Sequence, residues 1–188
     1  MKQLLTTLAL LIATSMVGQT AWSCKTSGNT FDGYTKVASA TSGNPIWRID
    51  NMRYKQSVKR LTIKINSKKD VFITGATSEW CQVAIDNRLF WLELSNDKVI
   101  DISTKEGKYF SVISFLDLLK SGNNLQMRII APKNNNSRDA FGQITKSDWS
   151  PTRINPLTGT TLGGDGTPIA DFRFSLKNSG ASIDCAIK

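Results

Sequence analysis

The 188-residue sequence contains no histidine. That removes the imidazole on which Ser-His-Asp and Cys-His catalysis, histidine metal sites and pH sensing near neutrality are usually built. There are three cysteines and no Cys-x-x-Cys pair, so thiol-disulfide catalysis and a zinc ribbon lack their ligands. Beyond the N-terminal segment, no stretch approaches the roughly 20 consecutive apolar residues of a spanning helix. Self-similarity at periods of roughly 20 to 50 residues is absent as well, which excludes a solenoid or propeller.

The N-terminal segment has the layout of a secretory leader. Lys2 supplies the positive charge, Leu4 to Val17 the apolar stretch, and Ala21-Trp22-Ser23 a small-x-small cleavage signal. A cut after Ser23 makes Cys24 the first mature residue. Ala21 and Trp22 stand where a lipoprotein signal wants an aliphatic and a small residue, so lipid attachment at Cys24 is the lesser alternative. The expected destination is the periplasm or the extracellular space, an oxidising setting in which three cysteines make one disulfide and one leftover thiol. Of the three pairings, Cys81–Cys185 is the one expected, because Cys81 sits in a patterned strand, Cys185 in an apolar C-terminal segment and Cys24 in a loose tail.

Residues 24–44 are rich in Ser, Thr, Gly and Asn and read as a loosely structured N-terminal segment or a short edge strand. A single β-rich domain over 45–188 follows. Leu61, Ile63 and Ile65 alternate with Arg60, Thr62 and Lys64, and Cys81, Val83 and Ile85 with Trp80, Gln82 and Ala84, as half-buried strands do. Asp86-Asn87 and Asn96-Asp97 tolerate the left-handed backbone of tight turns, which predicts a meander over Trp80–Ile85, Leu89–Leu94 and Lys98–Ile102. Ser114, Asp117, Lys120 and Gly122 bracket one short helix over about 115–120. Leu125–Ala131 and Asp171–Leu176 resume strand patterning, with a long polar loop over about 133–168 between them. The fold expected is mainly β, an antiparallel sandwich or barrel carrying that helix.

Charge is unevenly placed. The chain has 24 basic and 15 acidic residues, and between Arg48 and Lys69 eight basic residues face only Asp50, a local balance of +7. Arg48, Arg53, Lys55, Lys59, Arg60 and Lys64 are therefore the candidate anion-binding residues, for an anionic envelope or host polymer. The bland alternative is a solvated strand face whose lysines guard a sheet edge. Tyr54 is the sole aromatic in the stretch, too little stacking surface for nucleic acid. A protein partner is the other class of ligand considered.

Nothing marks a catalytic residue, cofactor or metal site. Asp165 and Asp171 lack the alternating aspartates of a calcium loop. Ser57-Val58-Lys59 and Ser175-Leu176-Lys177 have one intervening residue where a β-lactamase-like nucleophile needs two. Trp80 and Trp91 fall in the meander and read as packing residues, whereas Trp149, beside Asp148 in the long loop, is the candidate exposed contact.

The run Phe110-Ser111-Val112-Ile113-Ser114-Phe115, then Leu119-Lys120-Ser121-Gly122, Leu125 to Ala131, and Phe172-Arg173-Phe174-Ser175-Leu176-Lys177 resembles the ending of the invasion-associated locus B family of small exported bacterial β-proteins. This covers about a third of the chain. The chain departs from the family in lacking a tryptophan-cysteine start to the mature domain, unless Trp80-Cys81 is a displaced equivalent, and in its long glycine-threonine loop. The resemblance implies a non-enzymatic protein of the envelope or host interface and supplies no catalytic residues. The expectation is thus an exported β-rich binding or accessory protein. The alternative is a histidine-free cell-wall or glycan-acting enzyme using carboxylates.

Overall fold

The structure is a computed structural model that describes residues 21–31, 33–48, 50, 52–76, 80–104, 106–132, 153–154, 161–162 and 166–188. Twelve strands and three helices follow one another as β1 (Ser23–Asn29), β2 (Gly33–Gly43), β3 (Ile46–Trp47), α1 (Met52–Ser57), β4 (Arg60–Asn66), β5 (Val71–Thr74), β6 (Trp80–Ile85), β7 (Arg88–Ser95), β8 (Lys98–Thr104), α2 (Val112–Ser121), β9 (Asn124–Pro132), β10 (Arg153–Ile154), β11 (Thr161–Leu162), β12 (Gly166–Ser175) and α3 (Ser179–Ile187). The expectation of a mainly β, antiparallel fold is met. Among the described residues ten strands form one open sheet in the order β1-β2-β4-β5-β8-β7-β6-β9-β12-β3, and β10 pairs with β11 as a separate two-stranded sheet.

Alternation decides which side of each strand is buried. Leu61, Ile63 and Ile65 of β4, Cys81, Val83 and Ile85 of β6, and Leu125, Met127 and Ile129 of β9 all enter one apolar core, and their polar neighbours face out. The sheet curls until its two ends meet. Trp22 donates its indole N–H to the Ser175 carbonyl at 3.0 Å, and the Ser42 hydroxyl donates to the Arg173 carbonyl at 2.8 Å. These bonds join the β1–β2 end to β12, so side chains rather than a strand ladder close the roll.

The meander forms as the sequence predicts. Asp86 and Asn87, then Asn96 and Asp97, all adopt positive φ, the backbone that two-residue hairpin turns require. The helix expected at 115–120 starts earlier: Ser111, not Ser114, caps it, its hydroxyl oxygen accepting the Ser114 N–H at 3.1 Å. Gly122 ends it by lack of a side chain, since a Cβ there would come within 2.9 Å of the Leu118 carbonyl, Ile85 and Leu176.

Three expectations need correction. Residues 24–44 are not loose: they pair in register as the β1–β2 hairpin, and β2 pairs on to β4 from Val37 to Gly43. Serine and threonine hid a strand whose buried side is only Ala38, Ala40 and Ser42. The C-terminal segment is a third helix, α3. Its Ser179 hydroxyl lies 2.6 Å from the carbonyls of both Leu119 and Leu176, which fixes the helix start against α2. Finally, β4 lies between β2 and β5, so its lysines do not guard a sheet edge.

Most of the long loop expected at 133–168 lies outside the described residues, Trp149 included. Its last part, from Gly166, already pairs with β9 as strand β12.

Trp22 stands on the leader side of the expected cut, yet it is buried in the core. Burying an indole is worth roughly 2–3 kcal/mol, which a cut after Ser23 would forfeit. N-terminal sequencing of the mature protein is expected to find Trp22 retained; a chain starting at Cys24 would contradict this.

Candidate functional site

Two polar assemblies lie on the outside of the sheet. The first is built on β4, where Arg60 and Lys64 are exposed while Leu61, Ile63 and Ile65 are buried. On one side Lys64 opposes Ser39, Thr62 opposes Thr41 and Arg60 opposes Gly43 of β2; on the other, Thr62 opposes Thr74 and Lys64 opposes the half-buried Phe72 of β5. The hydroxyls of Thr41 and Thr62 are 2.9 Å apart. The outcome is a hydroxyl-rich plane with two cations standing on it and Lys59 exposed at its end. Among the described residues none of these three is in an ion pair.

The other predicted anion-binding residues are not so available. Lys55 pairs with Asp50, and the Lys55 ammonium, by hydrogen bond and charge, holds the Asp50 carboxyl below the usual range. Arg53 belongs to α1 and not to β4. Arg48 follows β3 and is committed to Asp171. A run contiguous in sequence is thus divided among β3, α1 and β4.

Asp171 organises the second assembly, which sequence reasoning did not single out as such. It lies on the outer side of β12 opposite Arg128 of β9 but is only 1% exposed. Arg128 Nε donates to Oδ1 at 2.8 Å and Nη2 to Oδ2 at 3.2 Å. Arg48 Nε donates to Oδ2 at 2.8 Å, Gln126 adds a bond at 3.2 Å, and Arg128 Nη1 reaches Gln82 at 3.3 Å. Burial alone pushes this carboxyl up; the hydrogen bonds and charges of Arg128 and Arg48 overcome that penalty and leave it lowered. The hydrogen bond to Asp171 in turn raises Arg128. Such a carboxylate stays ionised, which suits a tie between strands and disqualifies it as a general acid. The only sequence signal was one aspartate set between Ile169-Ala170 and Phe172, and its partners come from β9 and the end of β3.

Beside this network Trp80 and Ile130 are buried and pack with Trp91 as a small cluster apart from the main core. The packing role expected for Trp80 and Trp91 matches this placement, on the outer side. An open cleft of about 710 Å³ adjoins Gln126, bounded by Asp86, Asn87, Asn123, Asn124 and Arg173. Asp86 accepts the backbone N–H groups of Asn123 and Asn124 at 2.8 and 3.0 Å, and these bonds hold its carboxyl low.

The cysteine expectation is overturned. Cys24 is bonded to Cys185, with Cα atoms 6.2 Å apart, and Cys81 is free and buried. Placing residues 24–29 in β1 brings Cys24 to α3, whereas Cys81 points into the core away from both. The Cys24 sulfur is thereby engaged and not open to lipid attachment. Burial, aided by the charge of Asp97, pushes the Cys81 thiol up to about 12, so it is inert as a nucleophile.

A disulfide is typical of oxidising compartments, and among the described residues no helix is long and apolar enough to cross a membrane; both fit an exported protein. Among the same residues no group of three acids and cysteines is placed to hold a metal. Compared with known proteins, the chain matches no family model, no curated protein and no solved structure.

Proposed function

We propose that this is an exported, non-enzymatic binding protein of the bacterial envelope that takes an anionic envelope or host polymer on the outer face of β4. The observation that carries the reading is the exposure of Arg60 and Lys64, without ion-pair partners among the described residues, on a face otherwise lined by Ser39, Thr41, Thr62, Thr74 and Phe72. Cations standing two residues apart along a strand repeat at roughly 7 Å for adjacent outward positions and twice that for Arg60 and Lys64, a spacing that favours a polymer with repeated charges over a small anion. The resemblance to the invasion-associated locus B family supports the same class of role. Because Arg48 and Lys55 are neutralised within the protein, the binding set narrows to Lys59, Arg60 and Lys64.

The test is chromatography on a heparin-like or lipopolysaccharide matrix. Exposed charges act through a screening length of about 8 Å at physiological salt, so elution should move sharply with salt. Arg60→Gln with Lys64→Gln should elute the protein much earlier without altering its thermal unfolding, since both side chains point away from the core. Retention unchanged in the double variant, or indifferent to salt, would sink the proposal.

The competing reading, an enzyme working through carboxylates, draws on Glu93 and Asp101, which oppose each other across β7 and β8. Release of reducing ends from a glycan by the purified protein would favour it over the binding role.

A further inference from the structure

The β1–β2 hairpin is longer than the sheet that carries it. β2 pairs with β4 only from Val37 onward, while the hairpin ladder continues to Asn29 opposite Gly33. Residues Thr26–Asn29 and Gly33–Lys36 therefore form a two-stranded arm that, among the described residues, pairs only with itself. Gly33 through Lys36 are all exposed.

The tip bears side chains that a solvated arm does not need. Phe31 is 99% exposed and Tyr34 67%. They are held in place rather than trailing: the Asn29 side chain accepts the Phe31 N–H at 2.8 Å, and Gly28, at φ 125°, crosses the Gly33 carbonyl so closely that a Cβ would stand 2.1 Å from it. At the root, the Thr35 hydroxyl meets that of Ser67 at 2.8 Å, which ties the arm to the β4–β5 turn. Lys36 of the arm, Lys25 just below it on β1, and Lys68 and Lys69 of that turn are exposed and form no ion pair among the described residues. The one acid the sequence places at the tip is Asp32.

We propose that this arm is a membrane-contact device: Phe31 and Tyr34 enter the interfacial layer of a bilayer while the lysine collar takes anionic headgroups. Aromatic rings partition to the boundary between headgroup and acyl chain, and basic residues next to them gain from a negatively charged leaflet. Two rings on a narrow ribbon offer little shape to a protein surface, whereas a bilayer needs only an apolar tip with cations behind it. The backbone leading to the tip is already paired, Gly28 with Tyr34 and Asn29 with Gly33, so little of its conformational freedom is lost on contact. The Cys24–Cys185 bond fixes the foot of β1 to α3 and couples the arm to the body. This surface lies beyond the β4 face and does not depend on it.

The test is co-sedimentation of the purified, disulfide-bonded protein with vesicles of phosphatidylcholine mixed with phosphatidylglycerol, and with phosphatidylcholine alone. The protein is expected to sediment with the anionic vesicles. Phe31→Ser with Tyr34→Ser should reduce the partition coefficient by about tenfold or more, and Lys36→Gln with Lys68→Gln and Lys69→Gln should remove the preference for the anionic lipid. The aromatic variant should elute unchanged from the heparin-like matrix, which separates failure here from failure of the β4 reading. Equal sedimentation of the aromatic variant and the parent would overturn the proposal. So would no binding to either vesicle, and loss of a specific protein partner in the aromatic variant would then assign the arm to that partner.

Discussion

Reduction of the Cys24–Cys185 bond is expected to lower the free energy of unfolding by up to about 5 kcal/mol, the chain-entropy value for a loop of this size. The bond spans 161 positions, so reducing it frees nearly the whole described chain in the denatured state. In the folded state it also clamps β1, the edge of the sheet, to α3. With a urea slope of about 2 kcal/mol per molar, the midpoint should fall by up to about 2.5 M. Cys24→Ser or Cys185→Ser should match the effect of reductant, and the reductant should then do nothing more. Cys81 gives an internal control. Its buried thiol should resist alkylation in the native protein and react only on unfolding. A midpoint insensitive to reductant, or modification of Cys81 under native conditions, would contradict the assignment.

Asp171→Asn should cost about 3 kcal/mol, at the low end of the range for breaking a buried ion pair. The low end is appropriate because the Arg48 and Arg128 side chains are 46% and 31% exposed, so water attenuates what remains when the carboxylate goes. The variant leaves two guanidinium groups facing each other across a neutral amide, and it frees the link that holds the short strand β3 to β12. The pH dependence follows from the lowered pKa of Asp171. A carboxyl that binds its proton less tightly when folded contributes fully above the unfolded value of about 4, and the contribution disappears as pH falls through the lower folded value. The stability difference between the parent and Asp171→Asn should therefore be flat from neutral pH to about 4 and shrink below it. Other lowered carboxyls, Asp70 and Asp184 among them, make both proteins less stable in acid, so only the difference reports on Asp171. A gap that persists undiminished in strong acid would show that the loss is steric, not electrostatic.

The meander was legible because its signals are local. Trp80–Ile85 and its successors alternate at period two, and Asp86-Asn87 and Asn96-Asp97 are turn residues whichever strands they join. The same holds for the face of β4: once Leu61, Ile63 and Ile65 are buried, Arg60 and Lys64 must point outward. β1 and β2 were legible only as a loose segment or one short edge strand, since the buried positions of β2 are small or polar and the ladder to β4 is what orders them. The helical C-terminus was missed for a related reason, because its small residues are fixed by α2 and by the Ser179 hydroxyl rather than by a strong apolar stripe.

What the sequence determined by itself is therefore the strand content, the tight turns, the lack of imidazole chemistry and the outward direction of the β4 cations. Each follows from backbone sterics and from alternation over a few residues. Only the tertiary structure decided that Cys24 meets Cys185, that Arg48 serves Asp171, and that Lys59, Arg60 and Lys64 have no ion-pair partner among the described residues. Those outcomes depend on the strand order β1-β2-β4-β5-β8-β7-β6-β9-β12-β3 and on the curl of the sheet, which bring together residues more than 100 positions apart. A charge or a thiol carries no local mark of its partner, because the partner is chosen by which strands become neighbours.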